Sequence, residues 1–264
     1  MTSIHPTAIV DARAELGDVE VGPYAVIGAG VKLHDGVRIG AHAVVEGPTE
    51  IGARTVVHPH AILGGPPQDL KHDPNAPTRL VVGADNVFRE LSTAHRGTSS
   101  GRGETVIGDG NYFMASSHVA HDCVVGDRTM FANSAAIAGH VQVGDGAVLG
   151  GLCAVHQHAR IGRLAMVGGG AMCAQDVPPF VLAQGDRARL FGVNIIGLRR
   201  GGFGDETITA LKDAFRVLFM NELPRKTAMT RIEEGWGQVA EIQELLGFLR
   251  ESTRGICRAA AAET

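Results

Sequence analysis

The sequence predicts a mainly β fold, a coil of short parallel strands followed by an α-helical appendage, and three observations lead to it. Apolar residues recur every six positions along two long runs. Glycine is abundant at 36 of 264 residues while aromatic residues are only 5%, which suits many short turns around a thin interior. The repeat stops near residue 180, after which apolar residues recur at spacings of three and four. We therefore expect a β-coil over residues 1–180 and a helical domain over residues 181–264.

The six-residue repeat is the strongest of these signals. Its first register contains Val21, Ile27, Leu33, Ile39, Val45, Ile51, Val57 and Leu63. Its second register contains Ile107, Phe113, Val119, Val125, Phe131, Ile137, Val143, Leu149, Val155, Ile161, Val167 and Cys173. An α-helix needs a period near 3.6, and a hairpin sheet needs turn signals between longer strands. A period of six instead predicts a parallel β-helix, with one inward residue per strand and a small residue at each corner.

Three features depart from the uniform repeat. Ile4, Val10 and Leu16 begin the series one residue out of phase. Residues 64–81 contain four prolines and several polar side chains, and residues 96–105 read RGTSSGRGET, so both segments are predicted to be loops that leave the coil. Loops on a rigid scaffold commonly carry binding groups.

The C-terminal part contains two amphipathic patterns. In residues 205–220 the spaced apolar residues are Ile208, Leu211, Phe215 and Leu218, and two acidic residues open the segment as helix N-termini favour. In residues 238–250 they are Val239, Ile242, Leu245 and Leu249. Each pattern predicts an α-helix with one buried face.

Charge and composition exclude several classes of protein. A net charge of −4 argues against general binding to nucleic acid or to anionic membranes. No apolar run reaches the ~20 residues of a membrane span, and the N-terminus lacks the pattern of a signal peptide. The four cysteines form no CxxC pair, so we expect buried thiols in a reducing compartment. These features predict a cytoplasmic protein.

The repeat also predicts which residues lie together. If three hexapeptides close one turn, residues eighteen apart stack in columns at about 4.8 Å per turn. The three relevant columns are His121, Gly139, Gln157; Asp122, His140, His158; and Ala120, Ala138, His156. Histidines that are distant in sequence thus gather in one patch.

Such a patch suits general-base catalysis by His121, because imidazole titrates nearest to neutral pH. The neighbouring Asp122 would fix the ring tautomer, and Gly139 would let a backbone N–H approach a substrate as an oxyanion donor. A zinc site like that of hexapeptide carbonic anhydrases would need an H-x4-H pair, which the sequence lacks, so we predict no metal. Solvated surface histidines are the remaining alternative.

The motifs HPTAIV, QDLK, HRGT, HVAHDCVVG, AGHVQV, AVHQ, AQDVPPFVLAQG, FGVN, GLRR and STRG occur in this order over nearly the whole chain. Together they resemble the UDP-N-acetylglucosamine O-acyltransferase family. The resemblance implies a left-handed coil, a homotrimer, and transfer of a 3-hydroxyacyl group from acyl carrier protein to the sugar 3-hydroxyl at the start of lipid A biosynthesis. It implies no cofactor of its own, since phosphopantetheine arrives on the carrier protein.

The resemblance also implies roles for individual residues. His121 would be the general base, supported by Asp122, with Gly139 as the oxyanion donor. The implied substrate contacts are Asp69, His118 and His140 for the sugar; His156 and Gln157 for the diphosphate and uridine side; Asn194 and Arg200 for the nucleotide; and Lys71 and His95 for the phosphopantetheine arm or substrate. Gly169 falls where residue size sets acyl-chain length, and it predicts a long donor. A carboxylate and a basic residue found in some members are replaced here by Ile196 and Gly201.

Three alternatives remain at this point. A sibling N-acyltransferase of the same pathway carries an N-terminal uridine-binding domain, for which a repeat beginning at Ile4 leaves no room. An enzyme of the same fold could instead acylate a 3-amino sugar, and the sequence does not separate the two acceptors. A non-catalytic solenoid that binds a partner along one face is the third.

Overall fold

The computed structural model describes residues 2–221 and 223–260 and shows a long coil of short strands followed by four α-helices. In chain order the strands are β1 (Ser3–Ile4), β2 (Ile9–Val10), β3 (Glu15–Leu16), β4 (Glu20–Val21), β5 (Val26–Ile27), β6 (Val31–Leu33), β7 (Arg38–Ile39), β8 (Val44–Val45), β9 (Thr49–Ile51), β10 (Val56–Val57), β11 (Ile62–Gly65), β12 (Arg79–Val82), β13 (Val87–Phe88), β14 (Thr93–His95), β15 (Glu104–Ile107), β16 (Tyr112–Phe113), β17 (His118–Val119), β18 (Val124–Val125), β19 (Met130–Phe131), β20 (Ala136–Ile137), β21 (Gln142–Val143), β22 (Val148–Leu149), β23 (Ala154–Val155), β24 (Arg160–Ile161), β25 (Met166–Val167), β26 (Met172–Cys173), β27 (Val181–Gln184) and β28 (Arg189–Val193).

Successive strands of the coil fall in turn on three sheets. Sheet A contains β1, β4, β7 and every third strand to β25, followed by β27 and β28; sheet B runs from β2 to β26 and sheet C from β3 to β24. Neighbouring strands within the coil pair in parallel, and most turns without a loop take eighteen residues, as in the register Met130–Val148–Met166. The predicted left-handed parallel β-helix is confirmed.

The interior is a single row of apolar side chains along each sheet. Every residue of the two six-residue registers is buried, with none more than 3% exposed. The prediction of a small residue at each corner is wrong, because residues such as Tyr24, His42 and Leu152 occupy corners with φ near +60°. Their side chains are exposed, so size is not limited there. The small residues instead face inward, as Ala25 and Ala43 do at 0% exposure.

Both predicted loops interrupt the register without breaking the sheets. Ile62 of β11 pairs with Thr93 of β14, a step of 31 residues, and Thr93 pairs with His118 of β17, a step of 25. The loops therefore insert thirteen and seven residues into eighteen-residue turns, and they run over residues 66–78 and 96–103. The first turn, from Ser3 to Glu20, is one residue short, which explains the early phase shift.

Beyond the coil, β27 pairs in parallel with β25 and antiparallel with β28, so sheet A extends past residue 180. The helices are α1 (Ile195–Arg200), α2 (Asp205–Phe215), α3 (Arg225–Trp236) and α4 (Ala240–Glu251), with a π-helical turn at Arg216–Met220 after α2. Helices α2 and α4 confirm the two predicted patterns, whereas α1 and α3 were not predicted. The division at residue 180 stays a proposal, and residues 1, 222 and 261–264 of the two proposed domains lie outside the described residues.

The helices form a second apolar cluster, and the chain then returns to the coil. Ile208, Leu211, Leu245 and Leu249 are buried in this cluster with Phe180 of the coil end. After α4, short β-bridges join Asp176 to Ile256 and Leu190 to Ala259. All four cysteines are free and buried. Among the described residues, no helix is long and apolar enough to cross a membrane.

Candidate active site

The candidate site lies along the edge where the chain passes from sheet B to sheet C, hereafter the B–C edge, formed by residues 120–123, 138–141 and 156–159. The strands on either side keep the eighteen-residue register: Val119 pairs with Ile137, and Val124 pairs with Gln142. The amide of His140 donates to the carbonyl of His121, and that of His158 donates to the carbonyl of Gly139. The predicted columns therefore stack as expected.

His121 is bound to the carboxylate beside it. Its Nδ1 lies 2.8 Å from Oδ2 of Asp122, and the two side chains are 12% and 0% exposed. The Nε2 atom of the ring makes no hydrogen bond to any described residue. An imidazole with one nitrogen fixed by a carboxylate and the other free has the arrangement of a general base.

Loop 96–103 holds the Asp122 carboxylate in place. Thr98 donates from its amide at 3.1 Å and from Oγ1 at 2.7 Å, and the amide of Arg102 donates at 2.8 Å. Burial alone would raise the pKa of Asp122, but the hydrogen bonds from Thr98, His121 and Arg102 outweigh it and lower the pKa below its usual value. The carboxylate thus stays ionised beside His121. Sequence reasoning missed Thr98 and Arg102, although the loop itself was predicted.

Gly139 lies directly against the His121 ring. A Cβ atom at this position would be 2.5 Å from Cε1 and 2.7 Å from Nε2 of His121, so no larger residue fits without moving the ring. Its amide N–H makes no hydrogen bond within the described residues, whereas at the equivalent position before another corner the amide of Asp127 donates to Asp145 at 2.9 Å. Gly139 itself is buried, so its amide has neither a partner among the described residues nor wide exposure to solvent.

Two further histidines extend the B–C edge. Nε2 of His140 lies 3.7 Å from Oδ2 of Asp122, and its ring meets that of His121 edge-on with centroids 5.2 Å apart. The His140 ring stacks on His158 at 4.5 Å. Burial lowers the pKa of His140, although the nearby charges of Asp122 and Asp69 oppose that shift. The neutral ring can donate or accept a hydrogen bond.

His118 and His95 line sheet B beside the same edge. Nδ1 of His118 lies 2.7 Å from Oγ1 of Thr93, and its ring meets His95 edge-on at 4.8 Å. Burial, followed by the neighbouring His118 and His121, lowers the pKa of His95 to about 4. Burial also lowers the pKa of His118. Nδ1 of His95 is buried without a hydrogen-bond partner among the described residues.

A groove of about 550 Å³ runs along the edge toward the C-terminal segment. It is lined by Arg102, Asp122, Val124, His140, Gln142, His158, Arg160, Glu251 and Thr253. Donor atoms of His121, Asp122 and His140 lie within 4.8 Å of one another, close enough to consider a metal ion. Because Asp122 already accepts hydrogen bonds from Thr98, Arg102 and His121, we keep the absence of a metal as a prediction.

The remaining predicted residues fall into separate places. Exposed His156 and Gln157 lie on the B–C edge one turn beyond Gly139. Asp69 and the exposed Lys71 lie on loop 66–78, where the Lys71 amide donates to Asp69 Oδ1 at 2.9 Å.

Asn194 and Arg200 lie away from His121 within this chain. Nδ2 of Asn194 donates to the carbonyl of Leu164 at 2.8 Å, at the corner between sheets C and A, and Oδ1 of Asn194 caps α1. Arg200 is exposed at the end of α1. Gly169 is exposed at the corner between sheets A and B. One chain therefore carries the predicted site residues on three different edges.

Comparison with known proteins identifies the family. A family model described as UDP N-acetylglucosamine O-acyltransferase, domain 2, matches residues 176–257, and bacterial transferase hexapeptide repeats match residues 30–65 and 104–139. The acyl-[acyl-carrier-protein]–UDP-N-acetylglucosamine O-acyltransferase of Thermodesulfovibrio yellowstonii is 47% identical over 98% of this chain and all of its own length. The chain belongs to the UDP-N-acetylglucosamine O-acyltransferase family.

Solved structures agree with this assignment. LpxA from Acinetobacter baumannii superposes on the acyltransferase with a TM-score of 0.93 at 40% identity, covering 97% of this chain and 99% of the other. The UDP-N-acetylglucosamine acyltransferase from Campylobacter jejuni gives a TM-score of 0.92 at 35% identity, covering 98% and 100%. The likeness spans both the coil and the helical part of the acyltransferase.

Proposed function

We propose that this acyltransferase moves a 3-hydroxyacyl group from acyl carrier protein to the 3-hydroxyl of UDP-N-acetylglucosamine, the first step of lipid A biosynthesis. The observation that carries the proposal is the juxtaposition at the B–C edge. His121 is bound by the buried carboxylate of Asp122 at 2.8 Å, and its ring occupies the space that a side chain at Gly139 would fill. The Gly139 amide is unpaired within the described residues. A base and an oxyanion donor thus lie next to each other.

The reaction follows from this geometry. Nε2 of His121 removes the proton from the sugar 3-hydroxyl as the oxygen attacks the thioester carbonyl, and Asp122 stabilises the imidazolium that forms. The carbonyl oxygen becomes an oxyanion and accepts a hydrogen bond from the Gly139 amide. When the tetrahedral intermediate collapses, the carbon–sulfur bond breaks and the phosphopantetheine thiolate takes the proton from His121. The product is an O-acylated nucleotide sugar.

The other site residues position the substrates in this proposal. Asp69, His118 and His140 contact the sugar; His156 and Gln157 lie toward the diphosphate; Asn194 and Arg200 contact the nucleotide; and Lys71 and His95 face the phosphopantetheine arm or substrate. The exposed Gly169 leaves room for a long acyl chain. Carrier protein supplies phosphopantetheine, and we propose no further cofactor.

A homotrimer explains why the residues lie on separate edges. Asn194, near Leu164, cannot share a substrate with His121 of the same chain because a different corner of the prism carries each. Packing two coils side by side would bring the B–C edge of one subunit against the corner between sheets C and A of the next, where Asn194 lies. Leu70 on loop 66–78, which also connects sheet B to sheet C, is 107% exposed and is an apolar side chain that such packing would cover. We also propose a cytoplasmic location.

The test measures products directly. The purified protein is incubated with several 3-hydroxyacyl carrier-protein donors and either UDP-N-acetylglucosamine or its 3-amino analogue, and product masses are read. We expect an ester on the first acceptor with a long donor; transfer only to the amine would replace this function by N-acyl transfer. His121→Ala should abolish transfer while His42→Ala, an exposed histidine on another corner, leaves it intact. Transfer unaffected by His121→Ala, or absent with every donor, would contradict the proposal.

A further inference from the structure

The terminal motif STRG, residues 252–255, has no role in the reaction described so far. Its arginine, Arg254, reaches back to the B–C edge. Nη2 of Arg254 lies 2.7 Å from Nδ1 of His156, and its Nε donates to the carbonyl of Ala174 at 3.2 Å. The contact spans 98 positions of sequence, so it depends on the whole C-terminal segment returning to the coil.

The segment that carries Arg254 is fixed on both sides. Ser252 Oγ donates to the buried carboxylate of Asp176 at 2.8 Å, and the amides of Asp176 and Cys257 donate to Gly255 and Asp176 carbonyls, both at 2.9 Å. Gly255 has φ +82°, a conformation that disfavours other residues. A Cβ there would also lie 2.7 Å from Nε2 of Gln175. The motif is therefore built to hold one arginine in place.

The contact decides the tautomer of His156. Arginine has only N–H donors and no acceptor, so Nδ1 of His156 must present its lone pair. The carbonyl of Gln157 lies 3.2 Å from the same nitrogen, but an unprotonated Nδ1 cannot donate a hydrogen bond to it. The neutral ring carries its hydrogen on Nε2, and His156 is exposed along the edge that contains Gln157. An N–H donor thus faces solvent at a defined position.

We propose that Arg254 is a positioning residue, which holds His156 as the Nε2–H tautomer so that it donates a hydrogen bond to the diphosphate of the nucleotide sugar. The proposal rests on the proposed function only in naming the diphosphate as the acceptor. The predicted effect of Arg254 is on substrate binding, because His156 lies a turn away from the Gly139 amide.

The tautomer is tested without substrate. Protein labelled with ¹⁵N in histidine is studied by NMR at a pH of about 8, where an ordinary imidazole is neutral, and His156→Gln identifies the His156 signals. We expect an unprotonated Nδ1 in the wild-type protein and a mixture of tautomers in Arg254→Ala. A protonated Nδ1 in the wild type, or an unchanged spectrum in Arg254→Ala, would overturn the proposal whatever the protein's substrate is.

A double-mutant cycle tests the functional consequence. Arg254→Ala should raise KM for UDP-N-acetylglucosamine by about 3- to 10-fold with little change in kcat, as expected for one lost hydrogen bond, and Arg254→Lys should recover part of it. In a His156→Ala background the Arg254→Ala change should have no further effect. Independent, additive effects would show that Arg254 does not act through His156. Arg258→Ala, an exposed arginine on the same segment, is the control that should match the wild type.

Discussion

Replacement of Gly139 by alanine tests the geometry on which the mechanism depends. The new methyl group would lie 2.5 Å from Cε1 of His121. To reach an ordinary separation of about 3.5 Å the imidazole must retreat by roughly 1 Å. Such a shift also disturbs the 2.8 Å bond from His121 to Asp122. A displacement of this size in a reacting group costs about 100-fold in rate, or about 2.7 kcal/mol of transition-state stabilisation.

The assay is steady-state acyl transfer with carrier-protein thioester and UDP-N-acetylglucosamine, with the loss expected in kcat. Gly151→Ala is the matched control, because this residue precedes an equivalent corner and its Cβ would meet only the Asn133 carbonyl, at 3.4 Å. Both variants should keep the wild-type melting temperature within a few degrees, since the substitution at Gly139 presses on a single side chain. A Gly139→Ala enzyme with wild-type kcat would refute the placement of His121 beside this amide.

Three other predictions follow from single residues. The pKa of His95 is lowered to about 4 in the folded protein, so between about pH 6.5 and pH 4 the unfolded state binds a proton that the folded state does not, and the free energy of unfolding should fall as pH falls through this range. Chemical denaturation of His95→Asn should show a smaller loss of stability over the same range. An identical pH profile for the variant and the wild type would contradict this prediction. Gly169→Met should shift donor preference toward shorter acyl chains in mass-spectrometric competition, without unfolding, because a Cβ there meets only the Gly151 carbonyl at 3.4 Å; unchanged preference would remove Gly169 from the acyl path. Gly235→Ala in the exposed part of α3, where a Cβ meets nothing within 4 Å, should raise the free energy of unfolding by about 0.5–1 kcal/mol, and a decrease would contradict this.

Periodicity made the coil predictable from sequence. In a β-helix the inward position recurs at a fixed interval, so Val119 and Ile137 identify both the buried row and the residues stacked one turn apart. The same period predicts that His121 and Gly139 lie on adjacent turns. Corner residues were not predictable from hydrophobicity, because Tyr24 and Leu152 adopt positive φ while their side chains remain exposed.

Contacts made by the irregular segments could not be read from the repeat. Nothing in RGTSSGRGET specifies that Thr98 donates to Asp122, since a loop has no period from which to count. The bond from Arg254 to His156 depends on where the helices return the chain. Helix α3 was missed because only Ala228 and Ile232 are buried on it, too few for a recognisable apolar face. The position of Asn194 on another edge likewise depends on three-dimensional packing.

The seven-residue insertion after His95 supports the candidate catalytic residues but is not needed for the pairing of the strands. The strands on both sides of the insertion remain paired, so a variant shortened to ordinary eighteen-residue turns would keep the hydrogen bonds between strands. The Asp122 carboxylate would nevertheless lose its hydrogen bonds from the Thr98 amide, the Thr98 hydroxyl and the Arg102 amide, which keep it ionised. A solenoid of this kind can thus acquire or lose catalysis by lengthening or trimming one bend, while its buried rows evolve under packing constraints alone.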